Sequence, residues 1–109
     1  MKRSLVRLDL DEPGRFVLTG AREVIGRDPG CDVALEDKQV SWHHARIELK
    51  DDASTFIVDL SSLNGVHVNS VRVARQQLQH LDVIAIGSTK FRFFEGNGYL
   101  DSDLISHCS

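Results

Sequence analysis

The sequence has little of what marks the commoner functional classes. Only two cysteines occur in 109 residues, Cys31 and Cys108, far apart in the chain. Two thiols at that separation make neither a disulfide framework nor a CxxC site, and a reducing, cytoplasmic setting is the expectation. There is no block of Lys and Arg, and the formal net charge is -3, which argues against a grip on a nucleic-acid backbone. No apolar run approaches transmembrane length. The opening MKRSLVRLDLDEPG carries charge but no continuous apolar stretch, so no signal peptide is expected. The histidines at 43, 44, 67, 80 and 107 show neither His-x-His nor His-x-x-x-His spacing, and no cysteine lies near a matching position. Zinc is therefore not expected. No G-x-S-x-G elbow is present. Ser41 and His44 stand three apart, which on a strand puts them on opposite faces, and no third orienting group is identifiable. Gly26-Arg27-Asp28-Pro29-Gly30 is not followed by Gly-Lys-Ser/Thr or by a helical pattern, so it is neither a Walker loop nor a dinucleotide fingerprint. No catalytic residue, metal or cofactor is expected.

What the chain does have is period-two patterning. Hydrophobic residues make up 41% and charged residues 27%, the balance of a soluble globular domain, and the length suits one core. Val6, Leu8 and Leu10 alternate with Leu5, Arg7 and Asp9, before a turn at Asp11-Glu12-Pro13-Gly14. Short strands are expected at Phe16-Val17-Leu18, Glu23-Val24-Ile25 and Val33-Ala34-Leu35. Ala45, Ile47 and Leu49 share one face, and Phe56, Val58 and Leu60 share another. Further strands are expected at Val66 to Val68, Val71 to Val73, Val83 to Ile86 and Phe91 to Phe94. Gly87 and Ser88 supply the turn between the last two. The one stretch open to a helical reading, Ala74 to His80, is short and polar. Nine to eleven short strands without a useful helix predict a β-sandwich. Residues 1–98 form the expected domain, and 99–109 read as a loose C-terminal tail.

Three short motifs gain meaning from their order. Gly26-Arg27 is followed by Ser41-x-x-His44-Ala45, then by Asn64-Gly65 with Asn69 after it. Around these stand Cys31-Asp32-Val33, Asp59-Leu60-x-Ser62-x-Asn64-Gly65 and Leu78-x-x-x-Asp82-x-Ile84-x-Ile86-Gly87. In an all-β chain this succession resembles the forkhead-associated (FHA) domain family over about residues 4 to 95. The resemblance implies an eleven-stranded β-sandwich of two twisted sheets, FHA/SMAD-like. It implies a phosphothreonine-peptide-binding module that acts as a signalling adaptor through loops at one end, without catalysis or cofactor. By the same resemblance Arg27 and Ser41 hold the phosphate and Asn64 holds the peptide backbone. His44 props the loops from inside, with Gly26 and Gly65 meeting backbone requirements. The chemistry agrees: a guanidinium fork and a hydroxyl suit phosphate oxygens, and a carboxamide pairs with a main chain.

The sequence also departs from the family pattern. Trp42 stands where Arg, Lys or Asn is frequent, and Leu63 stands where a hydroxyl is frequent; Val66 and Ser70 depart from Thr and Gly. Trp42, Leu63, Ser62 and Lys38 are expected around the bound peptide, with Lys38 as a basic group near the phosphate. The two large apolar side chains also motivate an alternative, a phosphate-independent protein-binding or weakly self-associating module on the same fold. The partner is a protein or peptide in either reading, not nucleic acid or membrane. The chain reads equally as a small adaptor or as a piece of a larger signalling protein.

Overall fold

The fold was analysed in a computed structural model that describes residues 2–8 and 14–96. The expected turn at Asp11-Glu12-Pro13 and the expected tail over 99–109 lie outside the described residues, as do Leu10 and Cys108. Eleven strands follow in order: β1 (Lys2–Arg7), β2 (Arg15–Leu18), β3 (Arg22–Gly26), β4 (Val33–Ala34), β5 (Ala45–Leu49), β6 (Thr55–Asp59), β7 (Val66–Val68), β8 (Val71–Val73), β9 (Arg75–Leu78), β10 (Val83–Ile86) and β11 (Thr89–Gly96). They form a six-stranded sheet, β2-β1-β11-β10-β7-β8, and a five-stranded sheet, β4-β3-β5-β6-β9. All pairings are antiparallel except β3 with β4.

The inner faces meet in one core. Leu5, Ile84, Ile86, Phe91 and Phe93 come from the larger sheet, and Ile25, Ala45, Ile47 and Ile57 from the smaller; all are sealed from solvent. Burying such side chains contributes roughly 1.5–3 kcal/mol each before entropy is counted. The hairpins use the expected turn chemistry. Asn69 and Ser70 have φ of 51° and 73°, the pair of left-handed residues that a two-residue type I′ turn requires. Gly87, at φ 62°, opens the turn that joins β10 to β11.

The structure settles two facings that alternation left open and changes one expectation. In β1 the core residue is Leu5, opposite Phe93, so Val6 faces outward and Leu8 is exposed. In β6 the buried residues are Thr55 and Ile57, while Phe56 faces outward beneath the guanidinium of Arg75, 4.0 Å from its ring centroid. In both strands the choice lies between neighbours one residue apart, which occupy opposite faces. The stretch open to a helical reading is instead β9, hydrogen-bonded along β6 with Leu78 in the core. Its polar residues fit an edge strand, where only one position in four needed to be apolar.

Candidate functional site

The site residues gather where β3 ends, β5 begins and β6 runs into β7. Backbone bonds continue the β3–β5 contact past the strands. The Arg27 N–H donates to the Ser41 carbonyl at 3.1 Å, and the Asp28 N–H to the Trp42 carbonyl at 3.1 Å. This closeness explains Gly26. A Cβ there would stand 2.2 Å from the Trp42 carbonyl oxygen, a backbone atom with little room to retreat.

His44 is fully buried and joins two loops. Its Nδ1 accepts the Ser41 N–H at 3.0 Å, and its Nε2 lies 2.8 Å from the Gly65 carbonyl oxygen. An accepting Nδ1 and a partner that can only accept place the proton of a neutral ring on Nε2. The Ser41 hydroxyl oxygen in turn accepts the Leu63 N–H at 3.1 Å. That bond uses a lone pair and leaves the hydroxyl proton for a ligand. Asn64 Nδ2 donates to the Gln39 carbonyl at 2.8 Å and to Gln39 Oε1 at 3.2 Å. The carboxamide is thus oriented by the loop that carries Ser41, with its Oδ1 still an acceptor.

The remaining candidates divide. Ser62 is buried, its Oγ accepts the Gly65 N–H at 2.9 Å, and its N–H donates to Asp59 Oδ1 at 3.0 Å. The structure places it inside the β6–β7 turn rather than at the rim. Gly65 has φ 82°, and a Cβ there would meet Arg72 Nε at 2.5 Å. Trp42 and Leu63 are exposed, at 54% and 84%; Trp42 follows Ser41 in the chain, and the Leu63 N–H is bonded to the Ser41 hydroxyl. Lys38 is exposed in the β4–β5 loop. Arg27 is exposed and lines a groove of about 320 Å³ with Arg7, Pro29, Ala34, Leu35 and Glu36.

Several residues to which the sequence assigned no site role contribute. Asp37 Oδ2 accepts the Ser88 N–H at 2.7 Å and the Thr89 hydroxyl at 2.9 Å, seating the β4–β5 loop on the β10–β11 hairpin. Its Oδ1 takes the Gln39 N–H at 2.9 Å, an Asx turn whose local sign, Asp-x-Gln before Val-Ser, was available. His43 is exposed but reaches Asp28 Oδ2 at 3.1 Å, tying β3–β4 to β4–β5. Cys31 is a half-buried free thiol. Burial and then the neighbouring Asp28 charge push it up from its ordinary value, so it is a poor nucleophile at neutral pH. Among the described residues no group of His, Cys, Asp and Glu could hold a metal ion, and no helix is long and apolar enough to cross a membrane.

Comparison with known proteins gives one consistent result. The family profile described as the FHA domain matches residues 23–87. The oxoglutarate dehydrogenase inhibitor of Corynebacterium diphtheriae is 37% identical over 82 residues, which is 75% of this chain and 57% of that protein. The glycogen accumulation regulator GarA of Mycobacterium tuberculosis is also 37% identical over 82 residues, 75% of this chain and 50% of that protein. The chain therefore spans little more than half the length of these relatives. Among solved structures, one described for phosphothreonine-dependent FHA domain interactions superposes with a TM-score of 0.83 at 28% identity, covering 90% of this chain and all of that one. Mycobacterium tuberculosis EmbR in complex with a low-affinity phosphopeptide gives 0.81 at 32% identity, covering 89% of this chain and 25% of that one.

Proposed function

This chain belongs to the FHA family, and from that premise we propose that its loop end binds phosphothreonine-containing peptides, as a signalling adaptor. FHA domains are non-catalytic interaction modules, and this one is not an enzyme. One observation carries the reading: Arg27, Ser41 and Asn64, scattered in sequence, are held together by hydrogen bonds running through Ser41, His44, Gly65 and Gln39. Phosphate oxygens accept from the Arg27 fork and the Ser41 hydroxyl, with Lys38 adding charge nearby. Asn64 Oδ1 accepts from the ligand main chain. The relatives solved in the context of phosphothreonine and phosphopeptide binding support the same chemistry. A cytoplasmic setting belongs to the proposal, resting on a sequence with only two, widely separated cysteines.

A titration with a phosphothreonine peptide library and its unphosphorylated counterpart tests this. Phosphate-dependent binding that is lost in Arg27→Ala and Ser41→Ala is the expected result; no phosphate-dependent binding anywhere in the library defeats the proposal.

A second reading has its own observation. Trp42 and Leu63 expose large apolar side chains beside Ser41, where relatives of the family carry polar groups. A module that docks a partner, or a second copy of itself, without phosphate would use them as anchors. Equal affinity for phosphorylated and plain peptides marks that reading, and sedimentation at rising concentration reveals self-association.

A further inference from the structure

The outer face of the six-stranded sheet carries charge of one sign. Alternation and register place Arg15, Val6, Arg92 and Val83 in one row across β2, β1, β11 and β10. A second row runs Lys90, Ala85, His67 and Arg72 across β11, β10, β7 and β8. A third holds Val17, Ser4 and Phe94, with Lys2 opposite Gly96 beyond it. Lys2, Arg15, Arg72 and Lys90 are exposed and Arg92 is half-buried. The described strands of this sheet contain a single carboxylate, Glu95. It turns inward, where its Oε2 accepts the Thr55 hydroxyl of the other sheet at 3.2 Å. Among the described residues, five cations of these strands therefore face outward with no strand carboxylate among them, on a chain whose formal charge is -3.

The floor between the cations is not fully polar. Val6, Val83 and Phe94 are half-buried, and the Arg15 guanidinium lies 5.8 Å from the Phe94 ring centroid. Arg92 Nε is buried with no hydrogen-bond partner, which leaves the rest of its half-buried guanidinium to carry the charge at this face. Arg15 and Arg92 stand two strands apart, about 10 Å, and Lys90 and Arg92 two residues apart, about 7 Å. That spacing suits carboxylates on an extended polypeptide.

We propose that this face docks an acidic segment of a partner protein, separately from the phosphopeptide loops. Of these side chains, Arg72 reaches the loop end, over Gly65. A short acidic segment fits within six strands, a width of about 24 Å, and places apolar side chains on the floor. A nucleic acid carries its charge on phosphates spaced along a backbone far longer than this face is wide. Its phosphates also gain nothing from Val6, Val83 and Phe94. The complementarity is electrostatic and so sensitive to salt.

Fluorescence anisotropy with a fluorescein-labelled oligoglutamate peptide at low ionic strength tests the proposal. Saturable binding is expected, weakened by about ten-fold when Arg15→Glu and Lys90→Glu are combined, and by a smaller factor when both become Gln. The Gln pair keeps the test informative if charge reversal disturbs folding, which a melting curve reports. Arg27→Ala, at the other site, leaves oligoglutamate binding intact. Four results overturn the proposal: no binding to the wild-type chain, undiminished binding by both paired variants, loss in Arg27→Ala, or tighter binding of labelled oligothymidylate than of oligoglutamate.

Discussion

The imidazole of His44 lies 2.8 Å from the carbonyl oxygen of Gly65, across a separation of 21 residues, with no solvent reaching the ring. Its other nitrogen holds the Ser41 N–H. His44→Ala therefore strands a donor and an acceptor and opens a cavity. We expect a loss of about 2–4 kcal/mol in denaturant unfolding together with weaker phosphopeptide binding, because both loops lose their common support. Unchanged stability would show that the ring is dispensable.

Arg27→Ala acts differently. The side chain is exposed, so stability stays within about 0.5 kcal/mol of wild type. A lost charge-assisted bond to phosphate is worth about 1.5–3 kcal/mol, roughly ten- to a hundred-fold in Kd measured by calorimetry. Unphosphorylated peptide should show no such difference.

Gly65→Ala meets two obstacles, the positive φ and the guanidinium of Arg72. The backbone term is about 1–2 kcal/mol. Pairing the change with Arg72→Ala should recover the contact part and leave the φ part. A double-mutant cycle on melting data separates them.

Trp42→Ala and Leu63→Ala remove exposed apolar surface and should leave the melting temperature nearly unchanged. If both readings of the rim are compared with one peptide pair, the phosphothreonine reader keeps its dependence on phosphate in these variants. The phosphate-independent module loses most of its binding instead.

Glu48 supplies a pH signature. Its carboxylate is held below the usual carboxylate range, first by a hydrogen bond from Lys50, then by Arg46, at 3.0 Å and 2.6 Å. A folded-state value below the unfolded one favours folding above about pH 4.5, the ordinary value for this group. The contribution fades as pH falls through the folded value. Glu48→Gln should thus be less stable than wild type at pH 7, with the gap closing in acid-unfolding curves below pH 4.

The residues differ in how plainly they announced themselves. Most strands and the Gly87-Ser88 turn were legible because alternation and turn-forming residues act locally. Arg27, Ser41, His44 and Asn64 were legible as an ordered set, since each alone is commonplace. The facing of β1 and β6 was not, because Leu5 with Val6, and Phe56 with Ile57, offer an apolar residue to either side. Only cross-strand partners decide between them. Ser62 could be placed at the rim or inside the turn until the bond from the Gly65 N–H was seen. Asp37 works through partners 51 and 52 residues away, a separation that no local pattern encodes.

The web that ties β3–β4, β4–β5 and β6–β7 together exists before any ligand arrives. Encounter then requires no slow closing step, so the association rate should follow diffusion and charge steering, and should change with ionic strength rather than with viscosity-independent rearrangement. Differences among ligands will reside in how long each stays bound. On the proposed reading, that makes dwell time, and hence competition with phosphatases for the same phosphothreonine, the quantity set by the rim residues around Ser41.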